Sequence, residues 1–408
     1  MSVKIISAQR CMGCYACMDV CRFHAIKMVQ NEQGFYYPEI DDEVCTDCAA
    51  CEKKCPVLTE TGVPLGRCSF PDRKPSAYAV RSLDEKIRFG SSSGGVFPVL
   101  AKRFLSEGGI VFGAGFAEDW TVQHKPIDQI SDIGQLQSSK YAQSDMTGIY
   151  KQVRKCLKAG RKVVFSGTPC QVAALHNYLG GFWPEDIFVV DLFCHGVSSP
   201  GLLERYLNEM VPENETIHSV SFRHKERGWE KYNMRIEYGD DKVYSKPFRK
   251  DPFLSAFCRK ASLRESCYRC NAKGFPRHSD LTLGDFWMVD RIFPDMNDKK
   301  GVSIVLANTD KGKRFLSDLK DDLEVREIPE NFFSDIYQRS GTPVERPVYR
   351  DAFFDLVEKK SVSYAAEQLC KTPFMESIVG GMRTALVKMG VYDRLRKLKE
   401  VRKCANGK

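Results

Sequence analysis

Long apolar runs are missing from this chain. No stretch approaches the roughly 20 residues a helix needs to cross a bilayer, which excludes a transmembrane segment of that kind. Low-complexity tracts are absent as well, so the 408 residues are expected to fold into two or three domains, each with its own core. No secretory leader is read at the N-terminus, and without one a disulfide framework is not expected. A strong charge of one sign is lacking too: 61 Lys and Arg against 53 Asp and Glu leave a formal +8. That mild excess suits an acidic protein partner or a phosphate-bearing cofactor, and no nucleic-acid partner is expected from it. Finally, Gly113-x-Gly115 is followed by Glu118 where a dinucleotide fingerprint would carry its third glycine, so a nicotinamide-type Rossmann site is rejected.

Cysteine is plentiful, with 17 in all, which together with the missing leader points to a reducing, cytoplasmic and anaerobic setting. Eight of them form two runs of identical spacing, Cys11, Cys14, Cys17 and Cys21, then Cys45, Cys48, Cys51 and Cys55 with Pro56 behind. This duplicated run is the only internal repeat, and its spacing is that of a bacterial dicluster ferredoxin with two [4Fe–4S] clusters. The fourth cysteine of each run crosses over. Cys11, Cys14, Cys17 and Cys55 are therefore expected to hold one cluster, and Cys45, Cys48, Cys51 and Cys21 the other. Structural zinc fits less well, because three closely spaced cysteines leave one thiolate over at each knuckle. Arg22 stands where the motif usually has proline, placing a charge beside a cluster without threatening ligation. The chain is expected to move electrons.

The fold class read from the pattern is α+β/α/β multidomain. Residues 1–60 form the ferredoxin module, whose hairpin strands are Ile26–Val29 and Phe35–Pro38 with Gly34 near the turn. Residues 61–76 read as a linker carrying Cys68. From Ala77, strands alternate with helices: a helix at Gly94–Leu105, strands at Ile110–Ala114, Lys162–Phe165 and Ile187–Phe193, and helices at Asp145–Ala159, Cys170–Leu179 and Pro200–Met210. That alternation predicts a sheet covered by helices, here the α/β core over 77–215. A second core domain, richer in β structure, follows over 216–345, with strands at Ser219–Arg223, Tyr232–Tyr238, Leu281–Gly284 and Val302–Ala307 and a helix at Asp310–Leu319. Residues 346–408 form a helical basic tail, with eight Lys or Arg against two acids between Arg383 and Lys403. Such a helix either packs on its own domain or makes peripheral contact with a membrane surface or partner.

A second group of cysteines lies in the core. Cys170 starts a helix after Gly167-Thr168-Pro169, Cys194 ends an apolar strand, and Cys267 and Cys270 form a CxxC pair. Sites in α/β sheets gather where strands end and helices begin, so these four can converge on a third [4Fe–4S] cluster. Equally open from spacing alone are unliganded buried thiols with a lone redox or zinc CxxC.

Several stretches resemble one family in order: Ser91–Val96, Ser139–Ser144, Gly167–Gln171, Cys194–Gly196, Ser221–Arg223, Cys267–Cys270, Asp280–Trp287 and Gly301–Ser303. They are similar to the β subunit of coenzyme F420-reducing hydrogenase and its dehydrogenase relatives, and to 7-hydroxymethyl chlorophyll a reductase. The resemblance covers about residues 77 to 320 and implies FAD bound to the core beside a cluster held by Cys170, Cys194, Cys267 and Cys270. Cys258 competes for the fourth ligand position, while Cys156, Cys370 and Cys404 match no ligand setting.

Ser91, Ser92, Ser93, Gly94 and Gly95 precede a helix and supply small residues and a positive helix end, the expected cradle for the FAD pyrophosphate. Without a ligand the same stretch is a serine-rich helix cap. Lys140 and Tyr141 are expected at the flavin, Lys140 also as a catalytic cation, and His195 as a proton donor or a brace for the cluster loop. The function expected is an iron–sulfur flavoprotein oxidoreductase. Electrons from reduced ferredoxin or another redox partner would pass through the clusters to FAD and on to an organic hydride acceptor, F420-like or another small molecule. The alternative is a non-catalytic electron-transfer subunit of a larger redox complex.

Overall fold

The computed structural model describes residues 6–58 except 8, then 75–180, 184–330, 332 and 341–371. Cys68 and nearly all of the expected linker, and the basic stretch from Arg383 to Lys403 with Cys404, lie outside the described residues.

Each cysteine run leads into a short helix, Ala16–Val20 and Ala50–Lys54. Between them β1 (Ile26–Gln30) and β2 (Tyr36–Ile40) pair antiparallel, as the sequence predicts. Asn31 closes the turn by accepting the Phe35 N–H on its side chain, 2.9 Å.

The remaining strands follow in chain order: β3 (Ser76–Ser82), β4 (Ile110–Phe116), β5 (Val122–Ile127), β6 (Val163–Ser166), β7 (Ile187–Leu192), β8 (Ile217–His224), β9 (Asn233–Tyr238), β10 (Lys242–Pro247), β11 (Leu281–Asp285), β12 (Ser303–Ala307) and β13 (Leu323–Glu327). Eight of them make one mixed sheet in the order β13-β3-β12-β11-β7-β6-β4-β5, and β10-β9-β8 form a separate antiparallel sheet. The main sheet takes strands from both sides of residue 215. Strands β4, β6, β7 and β11 run parallel at its centre. Central parallel strands are covered on both faces, which is why β6 and β7 read as unbroken apolar runs.

Alternation along those strands divides the core into two layers. Ile110, Phe112, Val163, Phe165, Ile187 and Val189 face the helices Ile149–Lys158 and Pro169–Leu179. Val111, Val164, Phe188 and Val190 face the opposite way, toward helices Val96–Ser106 and Asp310–Asp318. The strand β4 contains Gly113 and Gly115, so this pair lies inside a strand and not in a phosphate loop.

The cysteine-rich module is built into these layers. Tyr15 and Ala16 are buried in the first layer, and Phe35 is buried with Leu202, Tyr206 and Phe354 in a third core region. The buried Asp19 carboxylate accepts the Gly148 N–H at 2.8 Å and the Tyr150 N–H at 3.0 Å, satisfying the first turn of helix Ile149–Lys158 from another part of the chain. Helices Arg350–Lys359 and Val362–Leu369 close the described C-terminal end, and Arg350 donates to Leu263 O and to Gln33 of the module.

Candidate functional site

Cys11, Cys14, Cys17 and Cys55 line one small cavity roofed by Ile26, Met28, Pro38 and Ile40, and Cys51 reaches it as well. The crossed set expected for the first cluster is thus brought together. Burial pushes the Cys14 thiol up and the Cys17 thiol to about 12, with neighbouring thiols adding to the effect. Loading iron therefore means displacing protons, as thiolate ligation always does. Of the second set, Cys48 is exposed while Cys21, Cys45 and Cys51 are half-buried, so this half of the module faces solvent.

The carboxyl ends of the parallel strands build the second constellation. The strand β6 ends at Ser166 and turns through Gly167 into helix Pro169–Leu179, where the Gln171 side chain accepts the Thr168 N–H at 2.8 Å. Proline at the first helical position suits the start of a helix, because its missing N–H would be unpaired there. This fixes Cys170, whose Sγ lies 3.1 Å from Thr168 Oγ1. The strand β7 ends two residues before Cys194, and the 3-10 turn Glu265–Arg269 carries Cys267 and leads into Cys270. All four cysteines line a single cavity. Burial lifts the Cys170, Cys194 and Cys267 thiols to about 12, and each thiol is further raised by others of the four. Among the described residues no three His, Cys, Asp or Glu side chains close on one point as a single ion requires. A cubane takes one thiolate per iron atom, so its ligands ring a cavity, and this is the arrangement of the four. Cys258 is elsewhere: it faces the neighbouring cleft beside Tyr232 and Arg223.

That cleft has a volume of about 940 Å³ and shares a wall with the four-cysteine cavity. Thr168, Gln171, Cys194, His195 and Lys273 line both. Ser91, Ser92, Ser93 and Gly95 line the cleft. Gly94 does not: its N–H is bonded to Ser303 Oγ at 2.9 Å, and a Cβ there would meet the Val80 carbonyl and the Ser303 N. The serine hydroxyls are also engaged, Ser91 with Ile87 O, Ser92 with the Ser139 N–H and Ser93 with Val302 O. What the loop offers is main-chain N–H. Gly95 caps helix Val96–Ser106 at φ 82° without a side-chain bond, and the amides of Ser92, Ser93, Gly95 and Val96 donate to nothing among the described residues. Unpaired amides at a helix N-terminus suit an anion such as a pyrophosphate.

Tyr141, Lys140 and His195 all reach the same cleft. The Tyr141 ring stacks on Phe257 at 4.4 Å, and its hydroxyl accepts from Arg223 at 3.0 Å. Lys140 donates to Gln137 O at 2.8 Å, and burial with the nearby Lys125 lowers its pKa to about 7. His195 is held near 4 by burial and by Lys273 and Lys260, so it is neutral, and its Nε2 is buried with no hydrogen-bond partner.

Several residues of the cleft were not anticipated as functional. Arg223 grips Asp285 with two bonds and donates to Ser92 O at 3.0 Å. The buried Lys225 donates to Ser93 O at 2.9 Å and to the carbonyls of Arg88 and Lys300. Holding the Ser92 and Ser93 carbonyls on one side fixes the peptide planes of the loop. Trp287, half-exposed at 52%, stacks on Trp229 at 4.9 Å and borders the cleft. Arg223, Asp285 and Trp287 sit inside stretches that already carried the family resemblance, so their positions were marked although their roles were not. Lys225 had no such mark.

Comparison with known proteins agrees with this geometry. Residues 160–331 match the family described as the C terminus of the coenzyme F420 hydrogenase/dehydrogenase beta chain, and residues 10–58 match the 4Fe-4S dicluster domain. The chain is similar to the F subunit of the F(420)H(2) dehydrogenase of Methanosarcina mazei, 20% identical over 337 residues that span 80% of this chain and 87% of that one. Its N-terminal part is similar to an uncharacterized ferredoxin of Methanocaldococcus jannaschii, 39% identical over 57 residues, 14% of this chain and 73% of the ferredoxin. A chain in the structure of the F420-reducing [NiFe] hydrogenase complex from Methanosarcina barkeri aligns with a TM-score of 0.44 at 18% identity, over 72% of this chain and 91% of its own. The chain thus belongs to the family of coenzyme F420 hydrogenase/dehydrogenase β subunits, with an N-terminal dicluster domain for two [4Fe–4S] clusters.

Proposed function

We propose that this chain is an iron–sulfur flavoprotein oxidoreductase that exchanges electrons between a redox partner protein and an organic hydride acceptor. The observation that carries the reading is the shared wall: the four-cysteine cavity and the large cleft meet at Cys194 and His195. Bound in these places, a third [4Fe–4S] cluster supplies single electrons and FAD turns them into two-electron chemistry. Cys170, Cys194, Cys267 and Cys270 would hold the cluster. The amides of Ser92, Ser93, Gly95 and Val96 would hold the FAD pyrophosphate, with Arg223 and Lys225 fixing the loop behind them. Lys140 offers a cation to the ring system, and neutral His195 offers Nε2 as a hydrogen-bonding or proton-holding atom. Trp287 gives a planar acceptor an exposed surface to stack on.

Deazaflavin F420 is the first acceptor to try, since the family description and the M. mazei relative both carry its name. The test is acceptor reduction by the chain purified under anaerobic conditions and reduced with dithionite. Turnover with F420 or another small organic acceptor supports the oxidoreductase. A second reading, a relay inside a larger complex, is favoured by the name of the M. mazei relative, which makes it one subunit among several. It predicts that the isolated chain reduces proteins but no organic acceptor.

A further inference from the structure

Arg264 joins the two halves of the molecule. Its side chain is fully buried, and it sits three residues before Cys267. Nε donates to Cys11 O at 2.8 Å, Nη1 to Gln143 Oε1 at 2.9 Å and Nη2 to Tyr36 O at 3.0 Å. The guanidinium also lies over the Tyr37 ring at 4.1 Å. Behind it, the Arg264 carbonyl accepts the Cys267 N–H at 2.9 Å. One side chain thus connects a thiol residue of the module's first site to a thiol residue of the core cavity.

The surroundings reinforce the link. Gln143, held by Arg264, donates to Met12 O at 3.0 Å and Gly13 O at 2.7 Å. Met12 lines both the Cys11 cavity and the core four-cysteine cavity, so only this loop separates them there. Gly13, at φ 59°, has no room for a Cβ, which would run into Gln143 and the Arg264 guanidinium.

The charge balance points the same way. Every acceptor of Arg264 is a neutral oxygen, and among the described residues no carboxylate pairs with it. An isolated buried charge is costly unless something compensates it. Thiolate-ligated clusters on either side would do so.

We propose that Arg264 is a positioning residue that bridges the Cys11/Cys14/Cys17/Cys55 site and the core four-cysteine site, carrying the electron route between them and balancing their negative charge. The proposal rests on the reading that the core cysteines hold a cluster. In the transfer step one site loses one electron and the other gains it, and no bond or proton changes hands.

A buried cation stabilises the more negative, reduced form of each site. The test is an EPR-monitored redox titration of the full chain, purified anaerobically, as wild type, Arg264→Met and Arg264→Lys. At a fixed potential Arg264→Met is expected to shift both flanking sites at least tenfold toward oxidised, about 59 mV for a one-electron couple. Arg264→Lys should restore most of that shift, and the Cys21/Cys45/Cys48/Cys51 site should stay where it was. Equal shifts at all three sites, or none, would overturn the bridge. Wild-type protein gives a check that does not depend on the variants folding. Its reduced spectrum should show spin–spin broadening that Cys170→Ser removes, and a spectrum that Cys170→Ser leaves equally broad overturns the bridge. Wild-type protein without core iron sinks the core-cluster reading and the bridge with it. Core iron with unmoved potentials sinks the bridge alone.

Discussion

Arg223 and Asp285 form a forked ion pair at the cleft, Nη1 to Oδ2 at 2.7 Å and Nη2 to Oδ1 at 3.2 Å. The same guanidinium holds Ser92 O and the Tyr141 hydroxyl, so one buried cation ties the serine loop, the aromatic wall and the end of β11 together. Removing one member of such a pair leaves the other charge without its partner, a loss of about 3–5 kcal/mol. Asp285→Asn is therefore expected to lower the unfolding free energy by an amount in that range and to abolish flavin retention. Arg223→Lys keeps the charge but not the fork, and should fold with weakened flavin binding. Chemical unfolding and flavin content after gel filtration check both.

The ligand set makes a sharp comparison. Cys170→Ser and Cys194→Ser should each cost about four iron atoms per chain, the content of one cubane. Cys258→Ser should leave the iron unchanged, since Cys258 faces the cleft and not the core cavity. Iron determination on anaerobically purified variants decides it.

Lys140, lowered to about 7, predicts a pH dependence at the flavin. Below pH 7 the side chain is charged and favours an anionic reduced ring, while above it an anion binds only at the cost of drawing a proton onto the amine. The flavin midpoint potential should fall more steeply with pH above about 7 than in Lys140→Met, where this contribution is gone. Spectroelectrochemistry at several pH values measures the difference.

His124 is buried between Ser144 Oγ, 2.8 Å, and Ser166 O, 2.9 Å, and burial lowers its pKa from 6.5 to about 4. Above pH 6.5 it is neutral in both folded and unfolded chains and has no effect. As pH falls from 6.5 toward 4, the unfolded chain takes up a proton that the folded one refuses, so stability is lost. The loss by about pH 5 is on the order of 2 kcal/mol, from roughly 1.4 kcal/mol per pH unit. Urea unfolding followed by tryptophan fluorescence should show this slope, and His124→Asn should flatten it.

Asp19 gives a test of how the module is attached. Its carboxylate accepts two main-chain N–H groups of helix Ile149–Lys158, and Asp19→Ala leaves both without that partner. The expected cost is about 1–3 kcal/mol, read from thermal unfolding.

The cysteine runs, the hairpin between them and the central strands were legible in the sequence because each is a local pattern: fixed spacing, period-two alternation or a short apolar run. The position of helix Pro169–Leu179 was legible from its own residues, Thr168 and Pro169, which mark a helix start. The joints were not. Arg264 reaches Cys11 across 253 positions, Asp19 reaches Gly148 across 129, and Arg223 reaches Asp285 across 62. An arginine destined to be buried looks the same in sequence as one on the surface, and nothing local marks its partner. For the same reason the serine loop was read as a source of hydroxyl donors. Its hydroxyls are taken up by Ile87, Ser139 and Val302, distant in sequence or in the preceding turn, and the open donors are main-chain amides.

The most direct test of the whole account is a count of iron and flavin in the chain purified without oxygen. About twelve iron atoms and one FAD per chain are expected, from four iron atoms in each of three clusters. About eight iron atoms and no flavin would contradict it, leaving the dicluster domain as the only redox centre.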